Sequence, residues 1–194
     1  MPGSGKSTQC ERWVERGWKW VSSSNVIRTA LESGKLSPSY AEKMARGEYL
    51  NDEEMISVMG DHLSGVPLNQ NIILDGFSRT APQARFLIGY LRAHGYDLYV
   101  IVLELPPEDA AKRIPGREAK DKRPDDNQVV LEKRIIQHDK ENKGHLAYLL
   151  HHVRDHIYIV PATPGPDEVF DDICDRVGEL RTINLAESCS GVNL

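Results

Sequence analysis

The chain has 194 residues, a net charge of −5, 40% hydrophobic residues and 27% charged ones, the make-up of one soluble globular domain with a proper core and small inserted lobes. No apolar run approaches the ~18 residues of a membrane span, no signal peptide is visible, and the acidic balance argues against a general nucleic-acid binder. Cys10, Cys174 and Cys189 are scattered, which fits a reducing, cytoplasmic setting and offers no Cys-based zinc site.

Residues 2–8 read Pro-Gly-Ser-Gly-Lys-Ser-Thr, the end of the phosphate-binding pattern G-x-x-x-x-G-K-[ST]. The backbone N–H groups of Gly3, Ser4 and Gly5 would turn into an anion nest at the start of a helix. Lys6 would reach the β- and γ-phosphates, and the Ser7 or Thr8 hydroxyl would meet Mg²⁺ or a phosphate oxygen. The first Gly of the pattern would stand one position before Met1, and the strand that feeds such a loop is not in this sequence. We expect either residues upstream of Met1 or another segment, such as Ile183–Leu185 or Val192–Leu194, in that strand position.

A helix is predicted over residues 6–16 and a strand over Trp18–Val21. Ser22–Asn25 supplies caps for a helix to Leu31, and further helices start near Pro38 and Asn51. Asn71–Leu74 reads as a buried strand with Asp75 at its end, where an acid organising Mg²⁺ and its waters belongs. Thr80–Ala93 reads as a helix with Phe86, Leu87, Tyr90 and Leu91 on one face. Tyr99–Leu105 is the strongest strand signal. A helix follows from Pro106-Pro107 to about Pro115, then a charged stretch and a long helix over roughly 126–143. Ile157–Val160 is the last strand and Pro166–Arg181 the last helix. Strands alternating with helices predict a parallel sheet covered on both faces, with ligands at the carboxyl ends of the strands.

Arg28, Arg79, Arg113, Arg117, Arg123 and Arg134 recur at strand ends and loops. Arg is suited to bidentate phosphate contacts, and transfer between two phosphates needs positive charge around one centre. With these residues the chain resembles the adenylate kinase family of nucleoside monophosphate kinases, from Pro2 to about Val177. Residues 2–9 are similar to the family P-loop, Ser22–Arg28 to S-T-G-D-L-L-R, Leu74–Thr80 to L-D-G-F-P-R-T, Arg113–Arg117 to R-x-x-G-R, and Arg123–Asn127 to R-x-D-D-x. Thr163–Gly165 falls where the family holds ATP adenine on backbone, and Gly47–Leu50 where it offers backbone to the monophosphate's base.

The resemblance implies an α/β P-loop NTPase-like three-layer sandwich as a single domain, 1–194. It has a helical NMP-binding lobe at about 23–65, a short lid at about 116–124 and a tail at 182–194. It implies reversible phosphoryl transfer from ATP to a nucleoside monophosphate, with AMP as acceptor. Lys6, Arg79, Arg117, Arg123 and Arg134 would be catalytic. Gly3, Ser4, Gly5, Lys6, Ser7, Thr8, Arg113, Thr163 and Gly165 would bind ATP. Ser23, Arg28, Tyr49, Leu50, Gly76, Arg79 and Gln83 would bind the monophosphate, with Gln83 reading adenine. Mg²⁺ would sit at Ser7 and Asp75, largely through water. The lid has no Cys or His quartet and resembles lids without zinc. The expected partners are small-molecule nucleotides, with no nucleic acid and no membrane, for a cytoplasmic monomer.

The chain departs from the family pattern at Ser24, at Asn25, which removes a charge, and at Ser78, expected to loosen a turn otherwise pinned by Pro. The alternatives are a P-loop scaffold of low or no activity, and a UMP/CMP-type or other small-molecule kinase. His151, His152 and His156 read as surface residues rather than metal ligands, and Trp13, Trp18 and Trp20 as packing behind the P-loop helix.

Overall fold

The computed structural model describes residues 3–46, 48, 50–113 and 144–177. The P-loop leads into α1 (Lys6–Val14), which buries Gln9, Cys10 and Trp13. β1 (Lys19–Ser22) runs directly into α2 (Ser23–Glu32), with Ser22 as the N-cap residue. After α3 (Ser39–Ala45), α4 (Asp52–Ser64) opens on a capping box in which Asn51 and Glu54 satisfy each other's backbone N–H. β2 (Ile72–Asp75) leads to α5 (Ala81–Ala93), where the N-cap hydroxyl of Thr80 accepts from Gln83 N and Pro82 occupies the first turn. β3 (Val100–Glu104) and α6 (Pro107–Arg113) follow.

The charged stretch and the long helix expected at about 126–143 lie outside the described residues. Residues 144–153 are helical and form α7. Gly144, a weak helix former, opens no loop. Leu149 is buried against Ala84 and Ile88 of α5, so tertiary packing holds this helix. A 3-10 turn (Arg154–His156), β4 (Ile157–Pro161) and α8 (Pro166–Val177) complete the described chain.

The strands are parallel, as expected. β1 pairs with β2 from Lys19↔Ile72 to Ser22↔Asp75, and β3 with β4 from Val100↔Ile157 to Glu104↔Pro161. Among the described residues they form two two-stranded sheets rather than one continuous sheet. The pairs share an apolar layer in which Ile73, Ile101, Leu103 and Val160 meet Trp13 and Phe170. A parallel sheet covered on both faces buries its strands almost completely. Among the described residues Ile72–Leu74 and Val100–Leu103 are only half-buried, and no ladder joins β2 to β3.

A second cluster joins Val21 of β1, Val26 and Ile27 of α2, Met55, Met59 and Leu63 of α4, and Leu87 and Leu91 of α5. The helices between β1 and β2 are therefore seated on the same core as α5. Trp13 lies 4.8 Å from Trp18 and 5.3 Å from Phe170 between ring centroids, the packing expected behind the P-loop helix. Trp20 lies on β1, apart from that ring cluster.

Candidate active site

Gly3 and Gly5 both take φ of +81, the left-handed region open to glycine. This folds the chain around Ser4, which is buried, before Lys6 starts α1. The α1 N-terminus has no side-chain cap and no acid in its first turn, which suits its amides and dipole to an anion. Lys6 Nζ donates to Ser4 Oγ at 3.3 Å. Gln9 Nε2 donates to Pro166 O at 3.0 Å, tying this helix to the start of α8.

Asp75 is buried at the end of β2. The Cys10 thiol of α1 is pushed up to about 12, first by burial and then by the charge of Asp75, while Lys6 acts in the opposite direction. α1 packs against β2, and Asp75 at the end of that strand and Lys6 at the start of α1 both act on the buried Cys10 sulfur. A hard divalent cation takes oxygen ligands, and the Asp75 carboxylate with the Ser7 hydroxyl is a donor set that fits Mg²⁺.

Gly76 follows with φ +79, and a Cβ there would stand 2.6 Å from Ser23 Oγ and 3.0 Å from Arg79 Nη2. Three residues expected on the monophosphate side therefore converge on one point. Arg79 Nε donates to Gly76 O at 2.9 Å, and Arg79 N donates to Gln83 Oε1 at 2.9 Å. Leu50 is buried. Arg28 is not brought to this point: its Nη1 donates to Asn25 Oδ1 at 3.3 Å on the exposed side of α2.

At the carboxyl ends of β3 and β4, an open cleft of about 410 Å³ is lined by Glu104, Leu105, Pro106, Pro161 and Thr163. Arg113 donates from Nη1 to Ala162 O at 2.6 Å and from Nη2 to Thr163 O at 2.9 Å, gripping the loop that follows β4. Gly165 O accepts from Val169 N at 3.0 Å as α8 begins. Tyr49, Arg117, Arg123 and Arg134 lie outside the described residues.

The family model described as "Adenylate kinase" matches residues 1–153. The chain belongs to the adenylate kinase family. It is similar to "Adenylate kinase" of Bacteroides fragilis, 31% identical over 183 residues, which cover 92% of this chain and 95% of the relative. It is also similar to "Adenylate kinase" of Phocaeicola vulgatus, 34% identical over 141 residues, 70% of this chain and 73% of the relative. "Adenylate kinase" of Novosphingobium aromaticivorans is 38% identical over 119 residues, 60% of this chain and 55% of the relative. This adenylate kinase family member is a transferase of the nucleoside monophosphate kinase class, and nucleotides are its substrates. Among the described residues, no helix is long and apolar enough to cross a membrane.

Sequence reasoning missed Asp52, whose Oδ1 accepts from both Thr80 Oγ1 and Gln83 Nε2. Its only signal was a place among the acids of a helical first turn. It also missed His145, whose Nε2 lies 2.9 Å from Ser78 Oγ. The turn expected to be looser at Ser78 thus gains a side-chain anchor on α7 that Pro could not make. The histidines read as bland make packing contacts: His152 Nδ1–H donates to Tyr148 O and His156 Nδ1–H to Leu98 O, each at 2.9 Å.

Proposed function

We propose that this kinase moves the γ-phosphoryl group of ATP to AMP, giving two ADP, reversibly. The observation that carries the reading is the meeting of Ser23 Oγ, Arg79 and Gly76 beside the acid that ends β2. AMP phosphate would be held there by Ser23 and Arg79, with Arg28 swinging in from α2 and Tyr49 and Leu50 beside the base. ATP phosphates would lie on the Gly3–Thr8 loop with Lys6, its adenine along Thr163–Gly165 and under Arg113.

The attacking AMP oxygen is already anionic, so no protein base is required. The chain's contribution is positioning and charge neutralisation by Lys6, Arg79, Arg117, Arg123 and Arg134. Ser7 and, through water, Asp75 would hold Mg²⁺, which would supply charge screening for the phosphates. Closing the lobe at about 23–65 and the lid at about 116–124 would exclude water and prevent hydrolysis. We assign one kinase domain to 1–194, working without zinc as a cytoplasmic monomer.

A steady-state panel of AMP, CMP and UMP tests the acceptor. We expect kcat/KM for AMP to exceed that for CMP by at least about tenfold, because a buried amide left unmatched costs about 1–3 kcal/mol. Equal values for AMP and CMP would reject AMP as the preferred acceptor. Among the described residues the strands divide into two pairs, which favours a second reading, a nucleotide-binding scaffold of low turnover. ATP binding without transfer would identify it.

A further inference from the structure

We propose that Asp52 is a positioning residue that sets monophosphate specificity: it fixes the amide of Gln83 and, through it, the backbone of Arg79. The inference rests on the kinase reading above and adds to it a residue on the opposite helix. Asp52 is the first residue of α4, and its Oδ1 accepts from Thr80 Oγ1 at 2.7 Å and from Gln83 Nε2 at 2.8 Å. A carboxylate only accepts, so the amide nitrogen must face it. At the other end of the same amide, Oε1 accepts from Arg79 N at 2.9 Å, a group that only donates. Both neighbours therefore demand the same orientation.

Gln83 is 5% exposed. A flipped amide would set donor against donor and acceptor against acceptor where no water compensates. Flipping would also reverse the donor and acceptor that the remaining N–H and lone pair present to a base. The Asp52 carboxylate thus decides which purine or pyrimidine edge Gln83 can match. The same chain of bonds continues from Arg79 Nε to Gly76 O at 2.9 Å, linking the α4 lobe to the arginine beside the transferred phosphate.

The plain alternative is an acid favoured at a helix N-terminus by the helix dipole. Glu53 shares that placement and is exposed, so Glu53→Ala is the matched control. We would measure AMP, CMP and ATP affinity by titration calorimetry for the parent, Asp52→Ala, Asp52→Asn and Glu53→Ala. We expect Asp52→Ala to weaken AMP by about tenfold or more and to narrow the AMP-to-CMP ratio. ATP should stay within about twofold, the spread of a neutral substitution. Asp52→Asn should fall between, because its Oδ1 still accepts both bonds without the charge.

If Asp52→Ala matches Glu53→Ala, or weakens AMP and CMP equally, or weakens ATP as much, the inference is overturned. Should Asp52→Ala fail to fold, an unchanged AMP-to-CMP ratio in Asp52→Asn overturns it. A parent protein that binds no nucleoside monophosphate overturns the kinase reading and this inference together. A parent that binds AMP, with Asp52 variants like the control, overturns this inference alone.

Discussion

At Gly76, φ is +79 and the space a Cβ would need is already occupied by Ser23 Oγ at 2.6 Å and Arg79 Nη2 at 3.0 Å. Gly76→Ala must displace one of them and strain the backbone, at a cost of about 1–3 kcal/mol. We expect lower stability in urea unfolding together with a lower kcat. A variant that loses stability but keeps kcat would show that the convergence does not position the phosphate. Arg79→Ala tests the charge itself. On the proposed mechanism it should lower kcat by at least ~10²-fold, the loss expected for a charge aimed at the transition state, and leave ATP affinity by calorimetry nearly unchanged. A variant within a few-fold of the parent would remove Arg79 from the reaction.

The element that carries Asp52, the proposed positioning residue, is α4, and its start is fixed locally. Asn51 Oδ1 accepts from Glu54 N at 2.9 Å and Asn51 N donates to Glu54 Oε2 at 3.0 Å, while Tyr40 of α3 donates to Glu54 Oε1. Asn51→Ala removes half of the box and should cost about 1 kcal/mol, a fall of about 2–4 °C in Tm for a chain of this size. The buried face through Met55, Met59 and Leu63 keeps the rest of the helix folded while the uncapped first turn frees Asp52, so AMP affinity should weaken while ATP affinity holds. An unchanged Tm would show that tertiary packing alone sets where α4 begins. The strand-plus-acid pattern of β2 is legible in Asn71–Asp75, and the helix start with its first-turn acids in Asn51-Asp52-Glu53-Glu54. What those four letters do not show is that Asp52 turns away from solvent to meet α5, because that depends on where two separate helices are held.

Across the whole molecule, the two strand pairs lie under one apolar layer without a ladder between β2 and β3 among the described residues. Their half-buried residues are those a central strand would cover. Fusing an apolar, β-branched run of about five residues ending in Gly ahead of Met1 would offer backbone to both edges and anchor the P-loop. We expect Tm to rise by at least about 5 °C, equivalent to roughly 1–3 kcal/mol, and ATP affinity to increase. No change in either would show that the sheet is already completed by another part of the chain.

The sequence by itself determined the family and the enzyme class, through the P-loop letters of Gly3–Thr8, the acid after an apolar strand at Asp75 and the recurring arginines. These are local patterns, legible because glycine conformations, helix starts and strand ends are set by neighbouring residues. The helix over 144–153 was not read from the sequence: Gly144 is a weak helix former, and the helix is held by packing of Leu149 and its neighbours against α5 and the strands. The convergence of Ser23, Gly76 and Arg79, the Asp52–Gln83–Arg79 relay and the Ser78–His145 contact were decided by tertiary structure alone. Each brings together groups from separate elements, and a hydrogen bond of about 3 Å depends on packing geometry that no local sequence pattern encodes.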